Sequence, residues 1–565
     1  MGSVGAQSLE PRQSLPESIA MLVELKPSNQ WMDHPIRNKI VASEAFRQIW
    51  RSPDVRKMRT GMLVAELAMG DSLESILTKL TSGGVTIAVD VQTEGVAMIA
   101  QSESSDWLKE YMQTLVNLVR NDAKTKKEPD PIKMAEYRGI SGYEFQKGIF
   151  AVIGKSLLVT NKSDLAKVVL DQFLDKTDGG LSSKESFRDQ VAVQSARPTN
   201  SVAWGYIDLE EIRKRGLAQD LFLEKAKDFN AELILGGLLS TLQNSDSASA
   251  ALVADAGSIA LQLCAPRDPT RSEEKRDFFF GPGGDGAALP LLKVDQELAS
   301  LSVYRDVSKL WLMAGDLFDQ KVNDQLAQAD NTLTTLFSGR DFGEDILGSF
   351  QPQLRLIAAL SEREAGRPVP AVRLPSFALV VNLKDSKRMK PELKRIFQSL
   401  VGFLNVAGAQ DGQPQLDLDM ESFDGSQFVM ARYVDEVDRL ENKVIPIQYN
   451  FSPCLAFVGD RAILSSTIGL AKQIAASAPI ETGLASSLEK KNTRLEVDAK
   501  AIRLSLEENR SHLVSQNIVE KGHSKKEAEN EVDMLFKILD LFDKGTLDLA
   551  FGSQSELNVT LRLAE

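Results

Sequence analysis

The sequence predicts an α+β protein built from two tandem, internally duplicated halves, with mostly antiparallel sheets and amphipathic helices. Three observations support this prediction. Short apolar segments occur in pairs joined by tight turns, which is typical of antiparallel strands. Helical hydrophobic patterns alternate with these strand pairs instead of following every single strand. The same order of segments then recurs in the second part of the chain.

The clearest repeat lies at residues 151–160, followed by 164–167. It resembles residues 456–465, followed by 469–472, and a single constant offset relates both pieces. Each copy predicts a strand, a turn that contains glycine, a second strand and an amphipathic helix.

Four further blocks recur in the same order. In the second block, Pro391 suits the first turn of a helix, where its missing N–H costs nothing. Each block is weak alone, but their common order predicts a duplication. In the first block, residues 75–77 and 85–89 match residues 345–347 and 354–358; in the second, residues 96–100 and a helix from Asp106 match residues 377–381 and a helix from about Pro391. In the third, residues 204–208 and 212–213 match residues 495–498 and 502–503; in the fourth, residues 233–264 match residues 534–563.

The repeats and the composition between them predict the domain organisation. A charge run followed by a segment rich in glycine and proline separates the two copies, as expected for a linker. We therefore expect a flexible leader at 1–15, a first half at 16–268, a linker at 269–298 and a second half at 299–565.

Composition and charge exclude several classes of function. The 565 residues are 43% hydrophobic and 26% charged, as in ordinary soluble globular proteins. The formal net charge of −13 argues against a nucleic-acid partner and against docking on an anionic membrane. The most apolar segment, residues 233–242, is too short to be a transmembrane segment.

The N-terminus favours export. Val4-Gly5-Ala6 resembles the small-residue pattern at a signal cleavage site, and cysteine is scarce. We therefore expect an extracytoplasmic protein, periplasmic or secreted, whose signal peptide is absent from this chain. A cytoplasmic protein with a disordered N-terminus is the alternative.

Two glycine-rich segments resemble nucleotide-binding motifs without meeting their requirements. Residues 281–286 fit the spacing GxGxxG, but Pro290 interrupts the helix that would receive a pyrophosphate. Gly154-Lys155-Ser156 resembles the end of a P-loop, but the upstream Gly148 stands one residue too far away. We expect a linker at the first segment and a hairpin turn at the second, with Asp460-Arg461 as its counterpart, and we predict no cofactor.

Metal chemistry has few candidates. Asp417, Asp419 and Glu421 alternate along one strand, and such a row does not converge on one ion, so a solvated edge strand is expected. His512 and His523 are expected to be exposed on a helix pair interrupted near Gly522.

Four other groups of residues have structural interpretations. His34 is expected in a loop. Cys264 and Cys454 are expected to be buried, with a disulfide between them left open. Asp208 with Arg213, and Asp498 with Arg503, follow strands and suit helix caps. We predict no metal site, and the catalytic residues, if any, are unknown.

Three segments together carry a resemblance to a known family. They are a strand at residues 20–25, a segment from Leu77 to Val89, and the hairpin at 150–159 with its Leu-Ala-Lys helix. This pattern resembles a family of large secreted bacterial proteins of unknown function, frequent in planctomycetes. The resemblance implies an extracytoplasmic bacterial protein and supplies no catalytic residues.

We hypothesise a non-enzymatic extracytoplasmic binding or structural protein, with an unknown protein or small-molecule partner at a cleft between the halves. A hydrolase with a carboxylate-based site is one alternative, recognisable by clustered Asp or Glu side chains with raised pKa values in one pocket. An intracellular assembly scaffold is the other.

Overall fold

The computed structural model confirms the α+β class. It describes residues 7–52, 55, 66–67, 70–145, 148–175, 179–197, 200–268, 274–284, 286–337, 339–361, 368–410, 412–423, 425–434, 445–477 and 491–565. The chain forms two compact units: unit 1 is Met1–Phe222 with Leu242–Pro266, and unit 2 is Leu223–Thr241 with Arg267–Glu565.

Strands and helices alternate irregularly along both units. The strands are β1 Ile19–Leu25, β2 Gly84–Asp90, β3 Gly95–Gln101, β4 Ile132–Tyr137, β5 Ile140–Phe145, β6 Gly148–Ile153, β7 Ser156–Thr160, β8 Ser201–Asp208, β9 Ser247–Ala254, β10 Ser258–Pro266, β11 Glu297–Tyr304, β12 Phe350–Ala359, β13 Ser376–Leu383, β14 Leu416–Phe423, β15 Ser426–Tyr433, β16 Cys454–Val458, β17 Arg461–Ser465, β18 Lys491–Asp498, β19 Phe542–Phe551 and β20 Gln554–Leu563. The α-helices are α1 Pro11–Ser14, α2 Ser28–Met32, α3 Pro35–Ala42, α4 Glu44–Arg51, α5 Leu73–Leu80, α6 Ser105–Lys126, α7 Ser163–Asp175, α8 Glu185–Ser195, α9 Leu209–Lys214, α10 Phe229–Asn244, α11 Asp277–Phe280, α12 Val307–Leu312, α13 Ala314–Leu317, α14 Gln320–Leu336, α15 Ser386–Gln410, α16 Ile468–Ala476, α17 Ala499–Glu508, α18 Arg510–Lys521 and α19 Lys525–Leu539.

Each unit contains one antiparallel sheet. The strand order in unit 1 is β10-β9-β8-β1-β2-β3-β7-β6-β5-β4. The order in unit 2 is β20-β19-β18-β11-β12-β13-β17-β16-β15-β14. Counted within each unit, the two orders are identical. The duplication stays a prediction, and this shared topology is what supports it.

Helices pack on one face of each sheet and on part of the other face. In unit 1, α7 and α8 pack on the first face, with Val169 and Phe187 buried in its core. In unit 2, Ile474 of α16 is buried in the position that corresponds to Val169 in unit 1. On the second face, the cluster around α6 extends from β4 to Val85 of β2, and the cluster around α15 extends from β14 to Leu354 of β12.

Helix α15 differs from the prediction. It begins at Ser386, and Pro391 lies inside it instead of in its first turn. The backbone N–H of Arg388 donates to a carboxylate oxygen of Asp385 at 3.1 Å, so that aspartate starts the helix earlier. Since proline has no N–H, the helix lacks one backbone hydrogen bond at Pro391.

A fully buried arginine joins α10 to the sheet of unit 2. Arg305, at the end of β11, is 0% exposed and donates to the carbonyl oxygens of Leu233 and Ile234 in α10. Its guanidinium also donates to Oδ1 of Asn492 at 2.6 Å, and it lies 3.4 Å from the ring centroid of Phe279. These contacts explain why residues 223–241 belong to unit 2, although the repeat places them in the first half.

Residues 7–15, expected to belong to a flexible leader, are instead packed in unit 1. Leu9 and Leu15 are both 0% exposed, and the backbone N–H of Leu9 donates to Oγ of Ser156 at 3.1 Å. Two buried leucines explain the ordering, since each removes apolar surface from water. Val4-Gly5-Ala6 lies outside the described residues.

Candidate binding surface

The uncovered part of the second sheet face in unit 1 is apolar. Val23 of β1 pairs with Ile87 of β2 and with Gly205 of β8, and directly paired residues point to the same side of a sheet. Met21, Val23 and Leu25 alternate with the inward-facing Leu22. We call this surface the apolar face of unit 1, and define it by Met21, Val23, Leu25, Ile87, Val89, Ala203, Gly205, Ala250, Leu252, Leu261 and Leu263.

The corresponding surface of unit 2 has the same character. Leu301 of β11 pairs with Leu356 of β12 and with Leu495 of β18, so a row of leucines crosses the sheet. We define the apolar face of unit 2 by Ala299, Leu301, Leu356, Ala358, Leu495, Val497, Gly545, Leu547, Val559 and Leu561.

These faces expose large side chains that carry no charge. Leu25 is 43% exposed and Leu261 is 44% exposed in unit 1, while Leu356 is 46% exposed in unit 2. An antiparallel sheet with a solvated face normally places polar residues there. The backbone groups are used in strand pairing, so only apolar contact is available to a ligand on these faces.

Of the two segments that resemble nucleotide-binding motifs, Gly154-Lys155-Ser156 forms the predicted hairpin turn. Residues 281–286 do not form the predicted linker. Gly154, with φ of 57°, turns the chain between β6 and β7, and Ser156 is fully buried, which confirms a hairpin turn. Asp460 lies in the corresponding turn between β16 and β17. The short helix α11 precedes Gly281, not a strand, and Phe278 to Phe280 are buried in unit 2. A Cβ at Gly286 would lie 2.6 Å from Cδ1 of Tyr304, so this part of the predicted linker is packed.

The carboxylate row is a solvated edge, as predicted. Among the described residues β14 pairs only with β15, and Asp417, Asp419 and Glu421 are exposed. Glu421 forms an ion pair with Lys472 at 3.1 Å. No group of three or more His, Cys, Asp or Glu side chains in the described part of the chain could hold a metal ion.

The histidines are separate from one another. His512 is exposed on α18, and Nδ1 of the half-buried His523 lies 2.9 Å from Oδ1 of Asn517 after the helix ends at Gly522. His34 lies in a loop, where its Nδ1 accepts a hydrogen bond from the backbone N–H of Ile36. The helix pair, the loop at His34 and the exposure of His512 are therefore confirmed. The predicted exposure of His523 is wrong, because its side chain is only 31% exposed beside Glu531.

The repeated aspartates are helix caps, as predicted. Asp208 accepts a hydrogen bond from the backbone N–H of Glu211 at 2.8 Å, and Asp498 accepts one from Ala501 at 2.8 Å. Arg213 instead donates to the carbonyl oxygen of Ser245, so it does not pair with Asp208.

Both cysteines are buried thiols outside any disulfide, which confirms their predicted burial. Burial raises the pKa of Cys454 to about 12, so its thiolate is disfavoured. This environment does not suit a nucleophile.

One carboxyl group has the raised pKa that the hydrolase hypothesis requires. Burial, and then the charge of Glu496, raises the pKa of Glu297 to about 7. Neither residue lines the four cavities formed around Tyr449, Trp204, Tyr143 and Lys275. Acidic side chains line two cavities in pairs, Glu10 with Glu24 and Glu224 with Asp316. Glu508 lines a third cavity, and Glu24 and Glu508 each form an ion pair with an arginine. Among the described residues, the raised pKa of Glu297 and these acid-lined cavities therefore lie at different places.

The apolar faces were not predicted from the sequence, although a signal for them exists. Residues 85–89 and 354–358 are almost continuous apolar runs, with few polar residues in alternate positions. Such runs are typical of strands with both faces apolar.

Comparisons with solved structures give distant likenesses. No family model matches the chain. No curated protein matches it either. Solved structures of TP0453 in crystal forms I, IV and III are similar at 11% identity, with TM-scores of 0.25, 0.24 and 0.25. The matches cover 46%, 48% and 51% of this chain and 80%, 85% and 90% of TP0453. No helix among the described residues is long and apolar enough to cross a membrane.

Proposed function

We propose that this protein is a non-enzymatic, extracytoplasmic binding protein whose apolar sheet faces bind the hydrocarbon part of lipids or other amphiphiles. The observation that carries the proposal is the uncharged, exposed face in each unit. Large exposed apolar patches on a protein surface often mark a binding site. Hydrocarbon chains fit because they need neither a charge nor a hydrogen bond.

The extracytoplasmic location and the bacterial family rest on sequence features. They are supported by the Val4-Gly5-Ala6 pattern and by the resemblance to large secreted bacterial proteins. The net charge of −13 favours individual amphiphiles over an anionic bilayer as the ligand. Export predicts that cell fractionation recovers the protein outside the cytoplasm, and recovery in the cytoplasm would contradict it.

Charge insertion into the apolar faces tests the proposed function. The double variant Val23→Asp and Leu356→Asp should weaken binding of the uncharged fluorescent probe N-phenyl-1-naphthylamine at least about tenfold, because a carboxylate resists desolvation by hydrocarbon. Both positions are more than a third exposed, so the fold should persist, which circular dichroism checks. Val519→Asp is the matched control, since Val519 is 83% exposed on α18.

Two results would contradict the proposal. Unchanged probe binding by the double variant would show that the faces are not the site. A wild-type protein that forms large oligomers, and becomes monomeric in the double variant, would favour the assembly scaffold instead. Analytical ultracentrifugation of both proteins separates these outcomes.

A further inference from the structure

A cavity in unit 1 lies between α6 and the strands β4, β5 and β6. Its volume is about 350 Å³, which is within the range of small-molecule sites. Met112 lines it from the helix, and Met134, Tyr143, Phe150 and Val152 line it from the strands. Methionine and aromatic walls adapt well to flexible apolar ligands.

The equivalent region of unit 2 is filled. In the shared strand order Tyr143 pairs with Phe150, and the corresponding pair is Val429 with Leu455. Val429 and Leu455 are 1% and 5% exposed and pack with residues of α15, whereas Tyr143 and Phe150 are only partly buried.

One position accounts for part of this difference. Val152 pairs with Leu157 in unit 1, and Phe457 pairs with Ala462 at the corresponding point in unit 2. Phe457 is 4% exposed and contributes to the core under α15. Leu157 is larger than Ala462, so the two pairs differ in where they place their bulk. In unit 1 the small Val152 lines the cavity and Leu157 does not.

The polar groups that line the cavity are suited to a single negative charge. Lys109 is one of them, and its nearest acidic partner, Asp106, lies 4.0 Å away on an exposed surface. The hydroxyl of Tyr143 and the amide of Gln113 lie 3.4 Å apart, and both line the same cavity. No Asp or Glu of the described chain lines it.

We propose that this cavity binds a single-chain amphiphile with one carboxylate, such as a fatty acid. The chain lies between Met112 and the aromatic wall, and the carboxylate accepts hydrogen bonds from Lys109 and from its polar neighbours. This inference rests on the proposed function, since it names one ligand class for a protein that binds amphiphiles.

The test is calorimetric titration with dodecanoate and with dodecanol, which has the same chain without the charge. Val152→Phe introduces the residue type that unit 2 carries at this point, so it should fill the cavity and weaken dodecanoate binding about tenfold or more. Val519→Phe, on the exposed surface of α18, should bind dodecanoate like the wild type.

A second variant keeps the test valid if the first one fails to fold. Lys109 is 65% exposed, so Lys109→Met should leave the fold intact, remove the preference for dodecanoate over dodecanol and preserve dodecanol binding. Wild-type affinity for dodecanoate in either variant would overturn the inference.

The outcome for the cavity is distinguishable from that for the faces. If neither cavity variant changes dodecanoate binding while the Val23→Asp and Leu356→Asp double variant still loses the neutral probe, only the cavity proposal fails. If the double variant also keeps the probe, the proposed function fails as well.

Discussion

At the residue scale, burial controls the chemistry of the few reactive groups. Cys454 is 0% exposed, and burial raises its pKa to about 12. The side chain therefore behaves as a small hydrophobic residue, as the sequence predicts from its position beside an apolar strand. What the sequence could not supply is the pKa of Glu297, because that carboxyl meets Glu496 only when β18 lies beside β11.

The burial of the cysteines predicts a slow thiol reaction. A disulfide reagent such as Ellman's reagent should not modify Cys264 or Cys454 in the folded protein at about pH 8, because the thiolate is the reactive species. Both should react in denaturant. Val519→Cys is the control that should react at once in the folded state. Rapid modification of two thiols in the native wild type would contradict the structure.

The raised pKa of Glu297 predicts a pH dependence of stability. Folding moves its pKa from an ordinary value of 4.5 to about 7, so the folded protein binds more protons than the unfolded chain between these values. The free energy of unfolding should therefore fall as the pH rises through this window.

Denaturant titrations at pH values across that window measure the effect. Glu297→Gln should show a smaller fall, because the amide cannot ionise. Glu103→Gln, at an exposed position, is the matched control. An identical pH dependence in Glu297→Gln and the wild type would show that Glu297 does not contribute to this fall.

At the scale of elements, two helical glycines are expected to respond oppositely to the same change. A Cβ at Gly237 in α10 would clash with the ring of Phe279, so Gly237→Ala should destabilise unit 2 by about 1–3 kcal/mol. Gly402 in α15 has open space around it, and Gly402→Ala should stabilise by about 0.5–1 kcal/mol through helix propensity. Denaturant unfolding measures both. Equal effects would show that α10 does not pack on Phe279 as described.

Local sequence patterns were sufficient for most elements. The hairpin at Gly154 and the helix caps at Asp208 and Asp498 follow from short-range turn and capping chemistry, and the structure has all three. Helix α15 was placed less well, since Asp385 starts it before Pro391. The local sequence allows a start after Asp385 as the N-cap and a start with Pro391 in the first turn, and the helix takes the first of these.

At the scale of the whole molecule, the order of the repeated blocks predicted more than any motif did. The hairpins β6–β7 and β16–β17 occupy the same place in the two sheet orders, as the repeat of residues 151–160 at 456–465 implies. The location of α10 could not be predicted, because it depends on Arg305, which is far away in the chain. The apolar faces also depend on which strands the helices leave uncovered.

The central claim is that the two apolar faces contact hydrocarbon, and photolabelling tests it most directly. An uncharged long-chain alkyl diazirine, activated by light and mapped by peptide mass spectrometry, should label β1, β2 and β10 in unit 1 and β12 and β20 in unit 2. The Val23→Asp and Leu356→Asp double variant should lose this labelling. Labelling spread evenly over the surface, or unchanged in the double variant, would contradict the account.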